Sequence, residues 1–285
     1  MKSVVLLTVN VHGIGPEAAD APADTLYGRF AHGRYAYRGG LTALMDRLRD
    51  LDVRATFFWP LFEAQRCRAA LERCVAEGHE VAAHGNASEN PAQLDPAREA
   101  ELLAACAERL EQWTGTRPVG FRSPTGTLSA HTVTLLGQGG WRYDASFIED
   151  DAPYSLAADG APGMVELPWS EALCDATHFR RRFTQDRAEA AMHEEFDPLL
   201  DADGYACTTL HPRGDIGVAR PARLPIVDRL VQRARARGTQ FALCRDVAAA
   251  ALTPQGVVWR GRARPGLARV DHLPFPPTPQ PWPGT

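Results

Sequence analysis

The chain runs to 285 residues, 45% of them hydrophobic, enough for one α/β barrel or two small domains with a substantial core. A formal net charge of −4 and a pI near 6.1, with 31 basic side chains interleaved among 35 acidic ones, leave no basic face for nucleic acid. No run approaches the roughly 18 apolar residues of a membrane span, and six scattered cysteines without a Cys-x-x-Cys pair suit a reducing compartment, so a cytoplasmic protein is expected.

The apolar run over 4–9 predicts a first strand directly after Ser3, with no signal-peptide h-region or cleavage site, leading into Asn10-Val11-His12-Gly13. Residues 13–37, rich in Gly, Ala, Pro and aromatic side chains, read as a long loop bordering a cleft. Leu41, Leu44, Met45, Leu48 and Leu51 at helical spacing predict a helix over 39–51, and 53–59 is a β-branched and aromatic strand, completing a first βαβ unit. A helix over 61–77 and a strand over 79–83 follow, then a long helix over 95–114 punctuated by Pro96 and Gly115. The strand 119–122, the helix 129–138 and the segment 141–144 continue the alternation.

Between 149 and 185 the pattern is less regular, with one clear strand at 164–169. A helix near 187–200, a strand over 205–210, a helix over 222–237 and a strand over 240–243 close it. Repeated βα units predict one α/β domain over 1–252, a closed or partly closed barrel with a parallel sheet. From 253 to 285 the composition turns Pro-rich, which predicts a linker-like extension or an arm on a neighbouring subunit. A scaffolding role would rest on that tail.

Three predicted strands end on histidine, at His12, His84 and His211. Side chains at the carboxyl ends of parallel strands converge on one face, and imidazole titrates near neutrality or ligates a transition metal. Each histidine alone reads more simply as a core or cap residue; together they predict one shared site. Trp59, Tyr143 and Trp169 are candidate substrate-binding aromatics, with Trp59 equally a plug of the barrel.

Six segments in order, Ala55-Thr56-Phe57-Phe58, Gly78-His79-Glu80-Val81 with His84-Gly85, Gly120-Phe121-Arg122-Ser123-Pro124, Tyr143-Asp144-Ala145-Ser146, Val165-Glu166-Leu167-Pro168 and Thr209-Leu210-His211-Pro212, carry a resemblance. Across roughly residues 3–250 the chain resembles the polysaccharide deacetylase family, the NodB-like carbohydrate esterases. Within it the chain is most similar to a cytoplasmic single-domain branch that includes a bacterial peptidoglycan deacetylase and the metal-independent allantoinases; Asp150-Asp151-Ala152-Pro153-Tyr154 is typical of that branch. The resemblance implies a distorted (β/α) barrel of about seven strands, cleavage of an amide-type carbon–nitrogen bond, a small-molecule or glycan substrate, and a homo-oligomer.

In most of that family a carboxylate base, a metal carboxylate and two histidines serve zinc or a similar divalent ion. Here those positions fall on Asn10, His12, His84 and Ser88. Asn10 can orient a water but cannot accept its proton. Ser88 is a poor zinc ligand, which leaves His12 and His84 as a two-point metal site unless Glu17, Glu89 or a loop carboxylate joins them. The resemblance further implies that Arg122 steers the catalytic carboxylate and that Asp144 orients and charges His211, the acid for the departing nitrogen, with His12 as substitute base or ligand. Arg122 and Asp144 could equally form a buried salt bridge. The expected activity is a deacetylase-like hydrolase of an acetamido sugar or small amide. The alternatives are a metal-independent allantoinase-like amidohydrolase and a catalytically inactive relative that binds a carbohydrate or metabolite.

Overall fold

The computed structural model describes residues 3–156, 163–254, 256–260 and 262–263. Strand β1 (Val4–Asn10) is buried along its whole length, as a strand covered on both faces must be. It pairs along one edge with β8 (Tyr205–Leu210), and its other edge is shared by β2 (Thr56–Trp59) beside Thr8–Asn10 and β9 (Gln240–Ala242) beside Val4–Leu6. Beyond β2 come β3 (Glu80–Ala83), β4 (Gly120–Phe121), β5 (Tyr143–Asp144), β7 (Met164–Glu166) and finally β6 (Tyr154–Leu156), which alone runs antiparallel. The nine strands form a curled, parallel-dominated half-barrel. Beyond β7, Cys174 makes an isolated parallel bridge to Thr209 of β8.

The two faces of each strand divide the core. Val5, Leu7 and Val9 of β1 face outward onto Leu44, Met45, Leu48, Leu230 and other helical side chains, while Val4 and Leu6 face inward with Phe58, Ala82, Tyr143, Tyr205 and Cys207. Gly120 is a glycine because the Tyr143 ring crosses it: a Cβ there would lie 1.8 Å from the ring. At the foot of the barrel Glu80 accepts from the Tyr143 and Thr56 hydroxyls and from the Arg245 amide, and Cys244 N–H donates to Thr56. Those bonds seat the helix Cys244–Ala251 across the bottom.

Some local expectations change. The helix expected over 61–77 breaks at Cys67 into Leu61–Arg66 and Arg68–Ala76. The loop 13–37 carries a short helix, Gly15–Ala18, and is tied down by Glu63, which accepts from Gly13 N–H, Gly15 N–H and the Tyr37 hydroxyl. Strand β6 and the helix Asp175–Arg180 lie in the stretch that looked irregular, both too short to show a period.

Past residue 252 the chain forms a small antiparallel sheet, β10 (Leu252–Thr253), β11 (Gly256–Trp259) and β12 (Arg262–Ala263). The Trp259 ring is buried edge-on against Tyr205, and its Nε1 donates to Asp203 O at 2.8 Å. The Pro-rich run of the predicted extension lies outside the described residues. Trp259→Ala removes a buried aromatic and a hydrogen bond, and is expected to lower unfolding free energy by about 3–5 kcal/mol. Urea denaturation of the full chain measures this; a loss below about 1 kcal/mol would show that the barrel stands without the segment.

Candidate active site

Inward-facing side chains climb the barrel in steps of two, and their character changes on the way. On β1 they run Val4, Leu6, Thr8, Asn10; on β8, Tyr205, Cys207, Thr209 and then His211; on β3, Glu80, Ala82 and then His84. The lower steps are mostly apolar. The upper steps are polar and surround Arg122, which follows β4.

The Arg122 guanidinium is 2% exposed. Its Nε donates to Ala145 O at 2.7 Å, and Nη1 donates to Thr8 Oγ1 and Asn10 Oδ1, both at 3.0 Å, and to Thr209 Oγ1 at 3.3 Å. Nη2 has the Cys207 sulfur at 3.8 Å, and the guanidinium lies over the Phe58 ring at 4.1 Å. Every one of these acceptors is neutral, so the expected alternative of an Arg122–Asp144 ion pair is absent among the described residues. With its carbonyl oxygen spent on Arg122, Asn10 has its amide N–H groups left for the cleft.

The three strand-end histidines do come together. The His12 and His84 rings stack at 4.8 Å and 13°, and His12 lies 5.6 Å from the His211 ring. His84 Nδ1 donates to Arg122 O at 2.8 Å, which leaves its Nε2 a lone pair. Burial pushes His84 down to about 3, and burial together with the like charges of His84, His211, Arg213 and Arg180 holds His12 well below the ordinary imidazole range. Both rings are therefore favoured in their neutral form.

His211 is oriented by Asp175, not by Asp144. Asp175 Oδ1 lies 2.6 Å from His211 Nδ1, and Oδ2 accepts from the His211 and Val218 amides. Asp144 instead accepts from the Ser146 hydroxyl and amide and faces Glu166. Burial and the Asp144 charge raise Glu166 well above the usual carboxylate range, so the two carboxyl groups share a proton. Sequence reasoning missed Asp175; its one signal was an acid inside the apolar run Leu173-Cys174-Asp175-Ala176.

Asn10, His12, Arg122, Trp169, Arg180 and His211 line a cleft of about 270 Å³ at the mouth, with Ser123, Ser146 and Cys174 among its other walls. Trp169 is therefore placed to meet a ligand, and its Nε1 donates to Ser146 O. Trp59 and Tyr143 are not. Trp59 sits on the outward face of β2, among the helical side chains, and Tyr143 lies inside the barrel with its hydroxyl on Glu80. Residues 13–37 border a different cavity, lined by Ile14, Asp24, Arg34 and Tyr37.

The donor set does not fit a resident divalent ion at His12 and His84. Their Nε2 atoms are buried without partners, but among the described residues no carboxylate is free to join them. Glu17 is paired with Arg213, Glu89 accepts from the Asn86 and Ala87 amides, and Ser88 is only part-buried on the turn after His84. Two neutral imidazoles facing arginine charge make a weak cation site. Ligating atoms of Cys174, Asp175 and His211 do lie within 4.8 Å of one another. There both Asp175 oxygens are already engaged, and burial pushes the Cys174 thiol up to about 11, so it is no thiolate.

The polysaccharide deacetylase family model matches residues 20–143, a span that excludes Asn10 and His12 at one end and Asp175 and His211 at the other. The chain is 33% identical over 150 residues to a peptidoglycan deacetylase-like protein of Gibberella zeae, covering 53% of this chain and 44% of that one. It spans less than half the length of the curated relatives it matches. A crystal structure from Mycobacterium smegmatis, provisionally assigned as a polysaccharide deacetylase, superposes with a TM-score of 0.81 at 28% identity over 93% of this chain and 94% of that one. An allantoinase shares the fold at a TM-score of 0.75 and 23% identity, over 86% of this chain and 89% of that one. The chain thus carries a polysaccharide deacetylase match over residues 20–143 and shares the fold of these solved structures.

The Glu166 proton has a consequence for stability. Its pKa in the fold lies above the unfolded value near 4.5, so the native chain holds the extra proton; the resulting stabilisation is complete below that value and is lost as pH rises through the folded pKa. Glu166→Gln keeps the hydrogen bond without the titration. Urea midpoints measured across pH are expected to decline less steeply on the alkaline side in this variant than in the parent chain; parallel declines would remove Glu166 as their source.

Proposed function

We propose that this chain belongs to the polysaccharide deacetylase family and hydrolyses a non-peptide carbon–nitrogen bond, in an acetamido sugar or a small amide, with His211 and Asp175 as its proton-transferring pair. The observation that carries the reading is the 2.6 Å bond from Asp175 Oδ1 to His211 Nδ1 at the wall of the cleft. That bond fixes the ring, leaving Nε2 as the atom for substrate.

In the proposed reaction a water oxygen attacks the acyl carbon and the carbon–nitrogen bond breaks. His12, neutral and across the cleft from His211, accepts the proton of the water, and His211 gives its own to the departing nitrogen. A strongly lowered pKa makes His12 a weak base, so the amide N–H groups of Asn10 stabilise the oxygen on which negative charge develops. Because Asn10 cannot be a base and the imidazole pair lacks a carboxylate, a metal-independent route of the allantoinase-like kind is favoured over zinc. The inactive-binder reading is weakened by the positions of Trp59 and Tyr143, which leave Trp169 as the one aromatic wall of the three.

Residence in the cytoplasm is part of the same proposal, supported by six free cysteines of which five are buried. No helix among the described residues is long and apolar enough to cross a membrane. Assembly into a homo-oligomer is supported by the branch resemblance.

Asp175→Asn leaves the shape of the pair and removes its charge. Amine release from a panel of acetamido sugars, ureides and small amides is expected to fall by about 10²–10⁴-fold, with a similar loss in His211→Ala. A variant at either position with unchanged turnover would refute the assignment. Elemental analysis of chain purified without chelator is expected to show substoichiometric zinc, unchanged by His12→Ala; one zinc per chain, lost on that substitution, would restore the metal route.

A further inference from the structure

The charges that face the cleft are mostly of one sign. Arg122 and Arg180 line it, and the one carboxylate among its walls is Glu171, exposed at the rim. Arg213 nearby is different: Glu17 and Asp215 neutralise it. Arg122 has only neutral acceptors, and Arg180 has no ion pair among the described residues. Asn10, the acceptor for Arg122 nearest the mouth, is itself neutral, so no counter-charge for the guanidinium stands among the described residues.

A buried guanidinium without a counter-ion is an unfavourable arrangement that a ligand charge can complete. Hydrogen-bonding capacity points the same way. Arg122 Nη2 has only the distant Cys207 sulfur, and the Asn10 N–H groups have no acceptor among the described residues. Donors therefore outnumber acceptors at the floor of the cleft. The field that disfavours a divalent cation favours an anion.

We infer that the amide substrate carries a carboxylate, which seats against Arg122 and Arg180 and supplies the negative charge that the barrel mouth lacks. This inference rests on the hydrolase reading for the word substrate, and its binding half stands apart from it. N-acetylglycine and its uncharged counterpart N-acetylglycinamide separate the two, because they share the acetamide and differ in the carboxylate.

Isothermal titration of the full chain is expected to show N-acetylglycine binding about tenfold or more tightly than the amide, with the advantage shrinking at high salt. Arg180→Gln alters an exposed, unpaired side chain and should fold; it is expected to cut the preference to about threefold or less. Asn10→Asp gives Arg122 an internal partner and is expected to erase it. Equal affinities in the parent chain, no binding of either compound, or a preference untouched by both substitutions would overturn the inference. Amine release is read in the same samples. Carboxylate-selective binding without release from either compound would overturn the hydrolase reading and leave this one standing; equal turnover of both would do the reverse.

Discussion

The guanidinium of Arg122, bonded beneath the mouth to side chains of β1 and β8 and to the carbonyl that follows β5, is the constraint around which the open end of the barrel is arranged. It fixes where Asn10 points and which of its atoms is left over. It also holds His84 through its own carbonyl oxygen, so the tautomer of that ring is set by the same residue. Because all its acceptors are neutral, the charge itself remains unspent, and the chemistry above it is organised around a cation. That ordering separates this site from one built on a carboxylate and a metal.

Much of this architecture is legible in the sequence, and the reasons are local. The strands that carry the site are short apolar runs ending in polar residues, and a histidine in the last place marks the side that opens. His12, His84 and His211 could be grouped on that basis because parallel strands bring their carboxyl ends to one face. Trp59 and Tyr143 went astray for a geometric reason. Side chains alternate along a strand, so Phe58 facing the interior sends Trp59 outward, and the glycine at 120 gives Tyr143 an internal berth instead of a place at the mouth.

Asp175 was out of reach for another reason. Its contact with His211 spans 36 residues and depends on how an irregular segment folds back after β7, which no period records. Asp144 lay beside the motif and looked the better partner. In the structure it belongs with Glu166 and Ser146, a proton-sharing cluster that braces the wall of the cleft. A family pattern pointed to His211, and only coordinates could say which carboxylate holds it.

The helix Cys244–Ala251, seated by Glu80 and Thr56, closes the lower end, and Phe58, Tyr143 and Tyr205 fill the space above it. The cleft is thus floored from below by these side chains. On the hydrolase reading, a molecule split above that floor yields two fragments, one of them nearer the floor than the other. The fragment lodged deeper waits on the other, so the pace of the whole cycle can be governed by the order of leaving as much as by the breaking of the bond.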